Sequence, residues 1–175
     1  MRTRHDLVTQ SFHWSVALLV LAIYTIGLGR EAVPKGDART FLLGLHMSLG
    51  IGLTGVLMLR MAWRLFAPPI EPVPMANSMR LAARLGHLGL YALMVVVPVV
   101  GLLAVWSKGR TVGFFGLPLP SPLALDRNAA KWLEDAHEIS AHGLLALAGL
   151  HATVALIHHV VLKDQTLRRM LPSGA

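Results

Sequence analysis

The chain has 175 residues, of which 54% are hydrophobic and 14% charged; it has no cysteine and a formal charge of +7. A soluble domain carries about 25% charged residues, so an ordinary soluble fold is excluded. The missing cysteines exclude disulfides, thiolate metal sites and any Cys-x-x-Cys-His cofactor attachment. The 16 Lys and Arg lie in short stretches between apolar runs, not on one face or in one tail, which argues against nucleic acid as a partner.

Crossing ~30 Å of hydrocarbon takes about 20 helical residues, and four segments reach that length, at about 10–29, 41–62, 84–107 and 137–162. The length suits a single integral-membrane domain over residues 1–175, and backbone in lipid must satisfy its own hydrogen bonds, so the spans are predicted to be helices. The first apolar run is followed by GLGREAVP, without a small-x-small cleavage site, and is read as a retained span. Pro98 is expected to kink the third helix, with Gly101 one turn later. Of the connectors, 63–83 carries Pro68, Pro69, Pro72 and Pro74. The longest, 108–135, carries Gly113, Gly116, Pro118, Pro120 and Pro122.

Lys and Arg counts set orientation. The N-terminus, second connector and C-terminus hold Arg2, Arg4, Arg60, Arg64, Arg80, Arg84, Lys163, Arg168 and Arg169. The first and third connectors hold Arg30, Lys35, Arg39, Lys108, Arg110, Arg127 and Lys131. Nine against seven favours both termini in the cytoplasm.

Histidines are the unusual feature. Seven (His13, His46, His87, His142, His151, His158, His159) lie in the spans and His137 opens the fourth; intramembrane ionisable groups are functional candidates by default. From His137 to His151 is 14 residues, ~21 Å of helix and about 40° short of whole turns. Both project from nearly one face in opposite halves of the membrane, an arrangement suited to two stacked haems rather than one small ion. Depth pairs His13 with His151 and His46 with His137, with His87 a rival to His13. His142 and His159 are read as interhelical hydrogen-bonding residues and His5 as solvated. For His158, polar packing and a quinone contact stay open.

The pieces FHW (12–14), LH (45–46), GHLGLYALMVVVPVVG (86–101), AHE (136–138) and GLHATVALIHHVVLKDQTLRRM (149–170) resemble the bacterial cytochrome b561 family of inner-membrane dihaem proteins. The resemblance implies an all-α transmembrane four-helix bundle binding two b-type haems, with His13 and His151 ligating one and His46 and His137 the other. It also implies electron exchange with ubiquinone. One activity in that family is superoxide oxidation, for which Lys35, Arg39, Lys108, Arg110 and Lys131 form a candidate basic mouth on the outer side. Acids (Glu31, Asp37, Asp126, Glu134, Asp135) share that surface. Quinone candidates on the inner side are His158, Lys163 and Trp14. The alternative is a haem-containing anchor that docks a separate dehydrogenase or hydrogenase through loop 108–135, with Phe114, Phe115 and Trp132. A haem-free transporter is disfavoured by the lack of acids within the cores of the spans.

Overall fold

The computed structural model describes residues 3–71 and 75–171; Arg2, Pro72 and Pro74 fall outside them. Among the described residues four α-helices form, α1 (Leu7–Ala32), α2 (Asp37–Phe66), α3 (Asn77–Ser107) and α4 (Arg127–Val160). All four are long and apolar enough to cross a membrane. At 1.5 Å per residue, ~39–51 Å of helix overruns a ~30 Å core, so each expected span is prolonged into the interface. The difference is largest in α4, which starts ten residues before the expected boundary and ends at Val160 instead of 162. Asp126 explains that early start: its carboxylate accepts from the amides of Asn128 and Ala129, both at 3.0 Å, capping donors that the first turn leaves unpaired. Asp6 caps α1 in the same way, accepting from the Thr9 amide at 2.9 Å.

The chain runs up and down. Residues 3–6, 67–71, 75–76 and 161–171 gather at one end, called here the terminal end, and 33–36 and 108–126 at the other, the hairpin end. Helix α1 packs mainly on α2 and α3 mainly on α4, while the two pairs meet sparingly. The buried core is correspondingly small, comprising Val16, Leu53, Leu57, Met94 and Leu144 and drawing on all four helices. Leu144 lies midway between His137 and His151, so this apolar layer separates two levels of histidine. Many large apolar side chains face outward, among them Leu18, Leu21, Met58, Leu88 and Leu150, as a lipid-facing surface requires. The molecule is a multi-pass membrane protein.

The 108–135 connector is shorter and more ordered than a loop. Strands β1 (Val112–Phe114) and β2 (Leu117–Leu119) pair antiparallel around Phe115 and Gly116, whose φ values are 46° and 91°. Two positive φ angles define the primed turn that matches strand twist. Trp132, expected in the loop, belongs to α4. The buried Ser48 hydroxyl of α2 donates to the Gly113 carbonyl (3.2 Å) and accepts from the Phe115 amide (3.1 Å). This ties the hairpin down two residues from His46. Ser48→Ala removes both bonds and is expected to cost about 1–3 kcal/mol, read as a lower melting temperature with faster proteolysis at the hairpin; unchanged proteolysis would show that the hairpin is held by other contacts.

Candidate functional site

Five histidines of the four helices form two groups. At the hairpin end, His46 (α2) and His137 (α4) face each other with ring centroids 6.1 Å apart and planes at 84°. Towards the terminal end, His13 (α1) and His151 (α4) are 6.3 Å apart at 63°. His87 (α3) joins this group, 5.4 Å from His151.

The hairpin-end pair is anchored by one device used twice. His46 Nδ1 lies 3.0 Å from the Ile23 carbonyl, and His137 Nδ1 lies 2.9 Å from the Val97 carbonyl. A carbonyl can only accept, so each Nδ1 carries the proton, which leaves the lone pair of each neutral imidazole on Nε2. Four residues after each carbonyl stands a glycine. A Cβ on Gly101 would sit 2.7 Å from His137 Nδ1, and one on Gly27 would sit 3.1 Å from His46 Cε1. The missing side chains let each imidazole reach the neighbouring backbone. Gly101 was legible in the sequence only as a companion to the Pro98 kink, and Gly27 not at all, because a carbonyl-to-imidazole contact across helices leaves no local pattern.

Two imidazoles on opposite sides of one metal, with metal–nitrogen bonds of about 2.0–2.1 Å and ~1.1 Å from nitrogen to ring centre, have centroids ~6.3 Å apart. Both 6.1 and 6.3 Å meet that spacing, whereas 5.4 Å for His87 is too short for ligands across a metal. Glycines 44, 50, 52 and 149 have open space where a Cβ would be, and the two helix pairs meet sparingly. The donor set and the space fit haem.

At the terminal end, Trp14 donates its indole N–H to the Met170 carbonyl at 2.8 Å, and the His5 amide donates to the Arg169 carbonyl. The segment after α4 is thereby folded over the start of α1. His5, expected to be solvated, is half-buried beneath it; burial, reinforced by Arg64 and Arg169, holds its imidazole below the ordinary pKa despite Asp6. His158 Nδ1 lies 2.5 Å from Asp164 Oδ2, with the His158 side chain 13% exposed. Burial opposes the Asp164 carboxylate, but hydrogen bonds from His158 and Thr166 outweigh it and hold its pKa below the usual range. Lys163 is exposed, in a left-handed turn at φ 53°. His159 makes no interhelical bond: its Nδ1 is buried without a partner among the described residues. Among the described residues, buried atoms of Gln10, Thr166 and Arg169 at that end also have no partner. His142 bonds across helices as expected, to Tyr24 at 2.8 Å.

At the hairpin end, Lys35, Arg39 and Arg110 line a cavity of about 310 Å³ together with Arg30, Gly36, Thr40 and Leu43. Arg30 and Arg39 both contact Glu31. Lys108 and Lys131 are paired elsewhere, with Glu134 and Asp135. The five-residue basic mouth therefore separates into three cavity residues, of which Arg39 is paired with Glu31, and two residues outside the cavity paired with Glu134 and Asp135.

Residues 4–173 match the family model for prokaryotic cytochrome b561. The chain belongs to that family. Cytochrome b561 homolog 2 of Escherichia coli is 34% identical over 96% of this chain and 91% of its own length. A probable superoxide oxidase, CybB, of Yersinia pestis is 32% identical over 98% of each chain, and a cytochrome b562 of Cereibacter sphaeroides is 29% identical over 92% and 90%. A cytochrome b561 is a membrane electron-transfer protein, and membership implies haem b.

Proposed function

We propose that this cytochrome b561 holds two b haems per chain, one between His13 and His151 and one between His46 and His137. On this reading it oxidises superoxide at the hairpin end, facing the periplasm, and reduces ubiquinone at the terminal end, facing the cytoplasm. The observation that carries the reading is the pair of ~6 Å imidazole spacings at two levels. The balance is two superoxide anions, one ubiquinone and two protons giving two O₂ and one ubiquinol. Bis-histidine haem supplies one-electron storage at each level.

The residues supply the rest. Lys35, Arg39, Arg110 and Arg30 draw a small anion into their cavity by field. The Ile23 and Val97 carbonyls fix the tautomers of His46 and His137. The Val16, Leu53, Leu57, Met94 and Leu144 layer keeps water from bridging the two levels. At the terminal end, His158 and Asp164 form a proton-delivering pair beside the quinone candidates Lys163 and Trp14, and the orphaned polar atoms of Gln10, His159, Thr166 and Arg169 mark a polar space that a quinone head group would satisfy. The indole N–H of Trp14 is already committed to Met170, so its contribution is its ring.

Detergent-purified protein is expected to show about two low-spin haems per chain in a reduced-minus-oxidised spectrum and to reduce ubiquinone when superoxide is generated. Arg110→Glu should slow that reduction by about tenfold and weaken its dependence on ionic strength. Absence of haem, or reduction indifferent to superoxide, would overturn the assignment. The exposed Phe115 and Trp132 at the hairpin end, 66% and 69% accessible, favour a second reading, a haem anchor docked to a soluble redox subunit. Activity of the isolated chain decides between them.

A further inference from the structure

We propose a quinone head-group site, additional to the one at the terminal end, on the lipid-facing side of the hairpin-end half and built from Tyr24, His142 and Glu138. Tyr24 Oη and His142 Nδ1 are 2.8 Å apart, joining α1 to α4 inside the span. The other imidazole nitrogen, Nε2, stands 3.8 Å from Glu138 Oε1, beyond hydrogen-bonding distance. Glu138 and His142 are one turn apart on the same face of α4. Their side chains are 73% and 49% exposed, and a Cβ on the neighbouring Gly143 would meet open space.

A bond between two helices requires only Tyr24 and Nδ1. It does not account for an unengaged Nε2 and an exposed carboxylate one turn away on a membrane-spanning helix, where unmet polar groups are costly. The complementary occupant arrives through the bilayer, is largely apolar, and carries oxygens that donate to and accept from imidazole and carboxylate. A quinone or quinol head group has that chemistry. A lipid phosphate or a fatty acid would set a second negative charge beside Glu138. A water-soluble molecule would enter by the open hairpin end and not between the lipid-facing sides of α1 and α4.

Placement agrees with chemistry. Tyr24 follows Ile23, whose carbonyl holds His46, and Glu138 follows His137. The site thus adjoins the hairpin-end pair, while His158 and Asp164 lie at the other end of α4. The inference extends the proposed quinone exchange and rests on it.

The test is photolabelling of the haem-loaded protein in lipid nanodiscs with an azido-ubiquinone, the labelled peptides being mapped by mass spectrometry. Label is expected on the α1 peptide containing Tyr24 and the α4 peptide containing His142, and excess ubiquinone should compete it away. His142→Leu should lower that labelling about tenfold, the loss of roughly one hydrogen bond, with haem content unchanged. Glu138→Gln, which keeps the Tyr24–His142 bond, should lower it less. Label confined to the terminal end overturns this site and leaves the proposed function standing. No competable label anywhere, in protein with its full haem, overturns the quinone exchange together with it.

Discussion

Replacing His46 or His137 by leucine is expected to leave about one haem per chain where the unaltered protein carries about two, read by haem extraction and by halving of the reduced-minus-oxidised signal. Replacing His13 or His151 should do the same at the other level. The informative variant is His87→Leu. His87 is nearer to His151 than His13 is, at 5.4 against 6.3 Å, and proximity alone would make it the ligand. Ligands on opposite sides of a metal would be held apart by two metal–nitrogen bonds, so the proposed coordination takes the longer spacing. His87→Leu should therefore keep both haems and alter only the surroundings of the terminal-end level, seen as a shifted absorption band or potential. Loss of a haem in His87→Leu, with retention in His13→Leu, would exchange the two assignments.

The parts of this molecule that sequence made legible are those set by period and depth. The four spans follow from apolar length, and the pairing of His13 with His151 and of His46 with His137 follows from helix rise. What stayed hidden depends on contacts across helices. Asp126 lengthens α4 through a cap that lies eleven residues before the apolar run, so hydropathy placed its start at 137. The β1–β2 hairpin is held by Ser48, a residue of another element, and a Gly/Pro-rich connector carries no sign of that partner. The basic mouth divided for the same reason: charge along the chain could not show that Lys108 and Lys131 face Glu134 and Asp135 while Lys35, Arg39 and Arg110 share a cavity with Arg30. His158 was recognisable as a polar residue at the terminal end, but its partner Asp164 lies beyond the end of the helix and comes within 2.5 Å only because the chain turns at Lys163.

Gly101→Ala tests the anchoring of the hairpin-end pair with a single methyl group. The added Cβ would meet His137 Nδ1 at 2.7 Å and Cε1 at 2.8 Å, closer than carbon approaches a ring atom without displacement. The ring has little freedom to yield, since its Nδ1 is bonded to Val97 and its other face meets His46. Overpacking of this kind costs ~1–3 kcal/mol, and retreat of the ring forfeits the Val97 bond, about 1 kcal/mol more. Gly27→Ala faces a milder conflict, 3.1 and 3.2 Å to His46, which shifts of a few tenths of an ångström relieve, and should cost less than about 1 kcal/mol. Gly29→Ala has nothing within 4 Å and serves as the control. The expected order of damage, in thermal stability and in occupancy of the hairpin-end haem, is Gly101→Ala far above Gly27→Ala, with Gly29→Ala unchanged. Replacement of a helix glycine by alanine ordinarily stabilises by up to ~1 kcal/mol, so a loss at Gly101 runs against the intrinsic preference and can come only from the imidazole beside it. Equal tolerance at all three positions would show that His137 is not held against Val97, and that the tautomer of this ligand is set by something other than the backbone of α3.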